Sequence, residues 1–259
     1  MGISVVINTY NAERHLERVL EAVKDFDEIV ICDMHSTDRT IEIARQFNCT
    51  IVYHEKAASA EPARTFAIQS AAHEWILSLD ADEIVPPALK EFLYEQIKRP
   101  DCPAGFRIPM KNYFMGRFMH CVYPSLLLRF FKKEGTYWPP YVHTQPQVQG
   151  RIVNISGKRK DLAFIHLAND SVATNIRKTN QYTENELEKR KNREYPFCSL
   201  MNETIFRFFK LYVLKGGFRD GKAGLVYCGL NAFYKYATIA KIWESRVREE
   251  DIDPELRTK

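Results

Sequence analysis

A chain of 259 residues, 45% hydrophobic and 27% charged, has the composition of a globular protein with a sizeable core, not of a disordered or fibrous one. A net charge of +4 is too small to argue for nucleic acid as a partner. Six cysteines (Cys32, Cys49, Cys102, Cys121, Cys198, Cys228) without a C-x-x-C pair exclude a dense disulfide framework and suit reduced thiols in a cytoplasmic protein.

The first segment, Ile3 to Ile7, is a β-branched run around one serine, as expected of a strand buried on both faces. Asn8-Thr9-Tyr10-Asn11 breaks it, and Leu16, Val19, Leu20 and Val23 then recur at helical spacing. Glu28 to Cys32 reads as a second strand ending in Asp33. Ser36 or Thr37 reads as the N-cap of a helix through Ile41, Ile43, Ala44 and Phe47. Ile51 to Tyr53 is a third short strand, and Pro62 to Ala72 a small-residue helix carrying Arg64. Trp75 to Leu79 is the fourth strand, followed at once by Asp80-Ala81-Asp82-Glu83. This β-α-β-α-β-α-β order with short connections predicts a parallel, helix-covered sheet. Thr9, Asp33 and Asp80 then fall at the carboxyl ends of strands, where ligands bind in such sheets.

A buried strand running straight into three carboxylates is costly unless something cationic sits at its end. Two readings are open at this point. One is a divalent metal on Asp80 and Asp82 with a phosphate-bearing ligand as its other partner; the other is that the acids cap the helix beginning near Pro86 or Pro87.

That helix is expected to run to about Lys98. From Gly105 to Ile155 the texture changes to short strand-like pieces, Phe106–Pro109, Leu126–Phe131 and Arg151–Ile155. They read as antiparallel or mixed strands completing the sheet and shaping an acceptor cleft. Aromatics are frequent there; sugar-ring stacking would use such residues, but packing explains most of them. Asn175 to Arg193 is a charged helix with a solvated face.

The charge is unevenly placed: residues 1–170 carry 20 basic and 21 acidic side chains, whereas 171–243 carry 13 and 6. Within that basic segment, Glu203–Leu214 combines a narrow polar stripe (Glu203, Arg207, Lys210) with a wide apolar arc. Gly216-Gly217 stops it and Asp220-Gly221 turns the chain. A second helix, from about Ala223 to Val247, has Asn231, Lys235, Thr238 and Lys241 on one side and Leu225, Leu230, Phe233, Tyr234, Tyr236, Ile239 and Ile242 opposite. Apolar-plus-basic helices in a hairpin fit an interfacial membrane anchor, and equally a helical pair packed on the catalytic body or at a dimer interface. No window reaches the roughly 18–20 uninterrupted apolar residues of a spanning helix. The expected organisation is a catalytic domain over 1–170 and a helical region over 171–259.

Thr9-Tyr10-Asn11-x-Glu13, Asp33-x-x-Ser36-Thr37-Asp38, Arg64 and Asp80-x-Asp82 occur in that order. In this the sequence resembles family 2 glycosyltransferases with the GT-A fold. Trp75–Glu83, Phe130-Phe131-Lys132-Lys133, Val142-His143 and Tyr212–Gly221 make it similar to the lipopolysaccharide-core β-1,4-glucosyltransferase branch.

The resemblance implies a UDP-sugar site built from Thr9, Tyr10, Asn11, Glu13, Asp33, Arg64 and Asp80, with Asp33 accepting the uracil N–H and Arg64 neutralising diphosphate. It implies that Asp82 ligates Mn²⁺ or Mg²⁺, with Asp80 against the ribose or the metal's waters. His166 is a further candidate metal or diphosphate contact, set against a core role. The implied reaction is single displacement with inversion, moving a hexose to a lipopolysaccharide-core or other lipid-linked acceptor on the cytoplasmic face of the membrane.

Relatives often carry Glu directly after the Val-His pair; here Thr144 stands there and cannot act as a base. Glu83 is the nearest carboxylate to the metal acids, and its alternative is a helix cap; Asp161 and Asp170 are further options for the base, which the sequence leaves unassigned. Two other readings compete. A nucleotidyltransferase would want glycines after the first strand, and Asn8 to Ala12 has none; a non-catalytic sugar-nucleotide-binding or membrane scaffold would bind donor without turnover.

Overall fold

The computed structural model describes residues 1–56, 60–140, 144–168, 170–190 and 192–246, with side chains at all of these except 188 and 189. Val142-His143 and the predicted helix end at Val247 lie outside the described residues. In chain order the elements are β1 (Ile3–Thr9), α1 (Glu13–Val23), β2 (Glu28–Asp33), α2 (Thr40–Gln46), β3 (Thr50–Tyr53), α3 (Glu61–Gln69), β4 (Trp75–Asp80), β5 (Glu83–Ile84) and α4 (Pro87–Ile97). They continue with β6 (Gly105–Lys111), β7 (Tyr113–Phe114), β8 (Arg117–Phe118), β9 (Ser125–Lys132), β10 (Ile152–Asn154), β11 (Phe164–His166), α5 (Val172–Arg190), α6 (Ser199–Phe209) and α7 (Gly221–Glu244).

The chain divides into two units, one of residues Met1–Asn112 and Tyr123–Ala168, the other of Tyr113–Val122 and Asn169–Lys259. The first is a mixed α/β unit with a mostly parallel central sheet. Strands run in the order β3-β2-β1-β4-β9-β6-β11-β5, with β10 also paired to β6. β1, β2, β3 and β4 are mutually parallel, and β9 is antiparallel to both β4 and β6.

All seven residues of β1 are buried, and successive side chains divide between two layers. Ile3, Val5 and Ile7 pack with Leu16, Val19, Leu20 and Val23 of α1 and with Leu89, Leu93 and Ile97 of α4. Val6 packs on the opposite layer with Ala63, Ala67 and Ile68 of α3, and Ile76 of β4 joins it there. Alternation therefore puts Asn8, Ser78 and Asp80 on the α3 side. Each aliphatic side chain so enclosed contributes roughly 1.5–3 kcal/mol of transfer free energy.

Two predicted caps are corrected. Helix α2 starts at Thr40, with Arg39 at its N-cap and no side-chain cap bond. Ser36 is instead drawn to Asp33, a buried carboxylate that requires donors. Helix α4 starts at Pro87 with no acid in its first turn. Glu83 lies in β5, paired antiparallel with β11, so Glu83 faces His166 in register.

In the second unit, α6 continues through a π-helical turn at Lys210–Leu214, and a 3₁₀ turn at Gly217–Asp220 leads into α7. Asp220 is buried and accepts the backbone N–H groups of His120 (3.1 Å) and Cys121 (3.3 Å) and His120 Nδ1 (2.6 Å), which ties the 113–122 segment to the helices. The predicted polar side of α7 does not face water. Thr238 is buried, Lys235 pairs with Glu203 of α6 at 2.6 Å, and Lys241 bonds Asn180 and Glu184 of α5. Ile239 and Ile242, predicted on the opposite side, are core residues packed with Tyr195. Among the described residues no helix is long and apolar enough to cross a membrane.

Candidate active site

The carboxyl ends of β1 and β2 carry two loops that bond to each other. Thr9 is buried and donates its hydroxyl to Asp33 Oδ1 at 2.7 Å; the N–H and hydroxyl of Ser36 complete the Asp33 carboxylate at 2.7 and 2.6 Å. Asn11 takes a left-handed backbone (φ 49°), which Asn tolerates better than most residues. Its side-chain oxygen accepts the Thr37 N–H at 2.8 Å, while its own N–H goes to Ser36 Oγ. The Glu13 N–H goes to Asp38, and its carboxylate accepts the Arg39 N–H at 3.2 Å. Tyr10 is more exposed, and its hydroxyl accepts from Lys56 Nζ at 2.6 Å. The Thr9–Glu13 and Asp33–Arg39 segments thus build a rigid frame out of each other's polar groups.

Asp80 ends β4 beside Asn8 of β1. Arg64 of α3 reaches Asp80 Oδ1 at 2.6 Å, and Arg129 of β9 reaches Asp80 Oδ2. Burial pushes the Asp80 carboxyl up, but the Arg129 and Arg64 guanidiniums reverse this and hold it well below the usual carboxylate range. Glu83 is 1% exposed and accepts from Arg129 Nη2 at 2.8 Å and from the Asp80 N–H at 3.0 Å. Burial raises its carboxyl to about 7 against the pull of Arg129. Both Glu83 oxygens are therefore occupied inside the protein, and the side chain holds Arg129 as a hydrogen-bond acceptor.

Asp82 faces the other way, toward β11. Its Oδ2 lies 3.3 Å from His166 Nε2, and each side chain is about a third exposed (32% and 30%). His166 Nδ1 meets Asn112 Oδ1 at 3.0 Å. Burial pushes the His166 imidazole down, but Asp82, with Glu83 and Asp80 behind it, leaves it raised. With Nδ1–H directed to Asn112, a neutral ring turns its Nε2 lone pair toward a carboxylate. That arrangement calls for a cation between them, either a proton or a metal. Among the described residues no group of three His, Cys, Asp or Glu side chains is arranged to hold an ion. A Mg²⁺ or Mn²⁺ site commonly needs only one or two protein carboxylates, with phosphate and water supplying the rest; Asp82 fits that oxygen donor set, and His166 Nε2 beside it would add a nitrogen.

Among the described residues, the buried side-chain nitrogen and oxygen atoms without a hydrogen-bond partner belong to Asn8 (both amide atoms), Arg64 (Nε), Arg129 (Nε) and Trp138 (Nε1). Three of these four residues line one cavity of about 130 Å³, together with Asp80, Glu61, Thr144 and Gln145. The Arg64 guanidinium stacks 4.5 Å over the Trp138 ring, so its remaining N–H is held in a fixed plane. An unpaired buried polar atom costs roughly 1–3 kcal/mol, so such a cluster marks a place prepared for a ligand rich in acceptors. A larger cavity of about 370 Å³ contains none of these residues. Its arginines are already engaged, Arg99 and Arg159 with Asp101 and Asp161 and Arg151 with the Asp101 carbonyl.

Reading the sequence misses Asn8, Arg129 and Trp138. Arg129 carries a signal, being a charged side chain inside an apolar run, which demands a buried partner; Asn8, next to Thr9 at the end of its strand, carries a weaker one.

A protein-family model described as "Glycosyl transferase family 2" matches residues 4–236. The chain is 25% identical over 255 residues, 94% of its own length and 93% of the other's, to the lipopolysaccharide core biosynthesis glycosyltransferase LpsC of Rhizobium meliloti (strain 1021). It is 24% identical over 269 residues to an uncharacterized glycosyltransferase of Rickettsia felis, covering 96% and 92% of the two chains. Among solved structures, S. aureus TarS 1-349 in complex with UDP-GlcNAc matches with a TM-score of 0.54 and 15% identity, over 97% of this chain and 78% of that one. The TarS likeness supports the GT-A fold alone; the family match covers most of the chain, including the strand ends that hold the site, and the chain belongs to glycosyl transferase family 2.

Proposed function

We propose that this glycosyltransferase is an inverting, metal-dependent enzyme that moves a hexose from a UDP-sugar to a lipopolysaccharide-core or other lipid-linked glycan. The acceptor is met at the cytoplasmic face of the membrane. The observation that carries the donor half of this reading is the convergence of Arg64, Arg129 and Trp138, each with an unpaired buried N–H, on one cavity beside Asp80. A sugar diphosphate supplies the anionic and hydroxyl oxygens that these donors lack. The acceptor half is supported by similarity to a relative named for lipopolysaccharide core biosynthesis.

In this reading Arg64 and Arg129 neutralise the diphosphate, and Asp80, clamped by both, fixes their geometry before the donor arrives. The loops framed by Thr9, Asn11, Glu13 and Asp33, with Tyr10 at their surface, enclose the nucleotide. Asp82 and His166 would hold Mn²⁺ or Mg²⁺, which when bound supplies positive charge to the departing diphosphate. Glu83 serves as the buried acceptor that keeps Arg129 in place.

Calorimetric titration tests the donor half. UDP-glucose, UDP-galactose or UDP-GlcNAc should bind more tightly with Mn²⁺ than without it, and Asp82→Ala should remove the difference. Absence of binding by all three nucleotide sugars overturns the reading. A second reading, a scaffold that binds donor without turning it over, rests on Thr144, which lines the same cavity and donates to the Pro139 carbonyl at 2.7 Å where relatives often carry Glu. It predicts donor binding with no release of UDP.

A further inference from the structure

Of the nineteen large apolar side chains exposed among the described residues, eleven lie between Phe197 and Tyr236. Phe197 is 91% exposed, Leu214 66%, Phe206 59% and Ile205 58%. They follow α6, the π-helical turn and the 3₁₀ turn, and on α7 Leu225, Phe233 and Tyr236 recur at helical spacing. Leaving this much apolar surface in water is unfavourable, and monomeric proteins seldom expose it in one segment.

The charges of the same segment are of one sign. Arg207, Lys210, Lys215, Arg219 and Lys222 are exposed, whereas Glu203 is paired to Lys235 and Asp220 is buried under His120 and Cys121. Because the polar side of α7 is spent on α5 and α6, the side chains this segment leaves exposed are mainly aromatic and aliphatic groups with basic ones among them. A second copy is a poor occupant, since a two-fold contact through this segment sets its five exposed cations against their own copies with no exposed acid between them.

We propose that the α6–α7 segment is a docking surface for an anionic lipid bilayer. Phe206, Leu214 and their apolar neighbours enter the interfacial layer while Lys210, Lys215 and Arg219 meet phosphate headgroups. No helix among the described residues is suited to crossing, so the attachment is peripheral and reversible. This inference is independent of the donor chemistry proposed above.

Flotation of the full chain with phosphatidylcholine vesicles, with and without phosphatidylglycerol, tests it. The chain should float with the phosphatidylglycerol vesicles and lose binding as salt rises. Phe206→Ser with Leu214→Ser should lower partitioning by at least about tenfold. Lys210→Glu with Lys215→Glu should abolish the preference for phosphatidylglycerol, and both pairs should keep the circular dichroism spectrum and melting temperature of the parent. The proposal is overturned if the parent does not float, or if the Phe206/Leu214 pair floats as the parent does. It is equally overturned if the parent dimerises in equilibrium sedimentation and these substitutions abolish the dimer.

Discussion

Arg129 meets Asp80 across the antiparallel pairing of β9 with β4, and the same Nη2 that donates to Asp80 reaches Glu83 Oε1 at 2.8 Å. One buried guanidinium thus answers two acids that stand three residues apart. Arg129→Met keeps most of the volume and removes the charge. Stripping one partner from a buried ion cluster typically costs about 3–5 kcal/mol, and a loss of that size is expected in urea unfolding. Adding Glu83→Gln should restore part of the stability, because Glu83 is the acid left without a cation while Asp80 keeps Arg64. Equal stability of the single and double variants would contradict the arrangement.

The same pair sets opposite pH limbs. Burial raises the folded Glu83 carboxyl from 4.5 to about 7, so the stability it contributes is fully present below 4.5 and is lost as pH rises through about 7. Asp80 has the reverse sign: its folded carboxyl lies below the ordinary 3.8, so its contribution is present above 3.8 and is lost as pH falls further. Glu83→Gln should flatten the neutral limb of a Tm-against-pH curve, with a change on the order of 3 kcal/mol between the two ends, and leave the acid limb in place. An unchanged neutral limb would show that Glu83 does not titrate there.

Trp138 offers a cleaner probe of the cavity. Trp138→Phe retains a ring under Arg64 and against Phe131 and removes the unpaired indole N–H. Loss of one ligand hydrogen bond should weaken UDP-hexose binding by roughly three- to tenfold. Stability without ligand should change by less than about 1 kcal/mol, because the smaller ring costs packing while an unpaired donor disappears. Unchanged UDP-hexose affinity would remove Trp138 from the donor site.

Two glycines of α7 should respond in opposite directions. A Cβ on Gly224 would stand 2.0 Å from the Gly217 carbonyl oxygen, so Gly224→Ala forces the 3₁₀ turn away from α7 and should destabilise by about 1–3 kcal/mol. A Cβ on Gly229 meets nothing within 4 Å, and Gly229→Ala should stabilise by roughly 0.5–1 kcal/mol. Thermal melts of the two variants compare them directly, and a stabilising Gly224→Ala would contradict the close approach.

What was legible in the sequence follows from which signals are local. The parallel strands announce themselves because β-branched runs buried on both faces have few alternatives, and Thr9, Asp33 and Asp80 fall at their ends as expected. Arg64 meets Asp80 as a cation was required to. The role of Arg129 was not legible, because its partner lies 49 residues away across an antiparallel strand whose register the sequence does not announce. The division of α7 was not legible either, because Lys235 and Lys241 read only as the polar side of an apolar-plus-basic helix until α6 and α5 supply Glu203 and Glu184 beside them. Tyr113–Val122 belongs with the helical unit through Asp220, a pairing about 100 residues long that no periodicity reveals.

The measurement that bears most directly on the proposed function is release of UDP from UDP-glucose, UDP-galactose and UDP-GlcNAc by the full chain, with Mn²⁺ and with a chelator. Slow release is expected from at least one donor in Mn²⁺, none with chelator, and none by Asp82→Ala at any Mn²⁺ concentration. Release that persists undiminished in chelator or in Asp82→Ala would contradict the assignment of Asp82, and donor binding without any release by the parent would favour the scaffold.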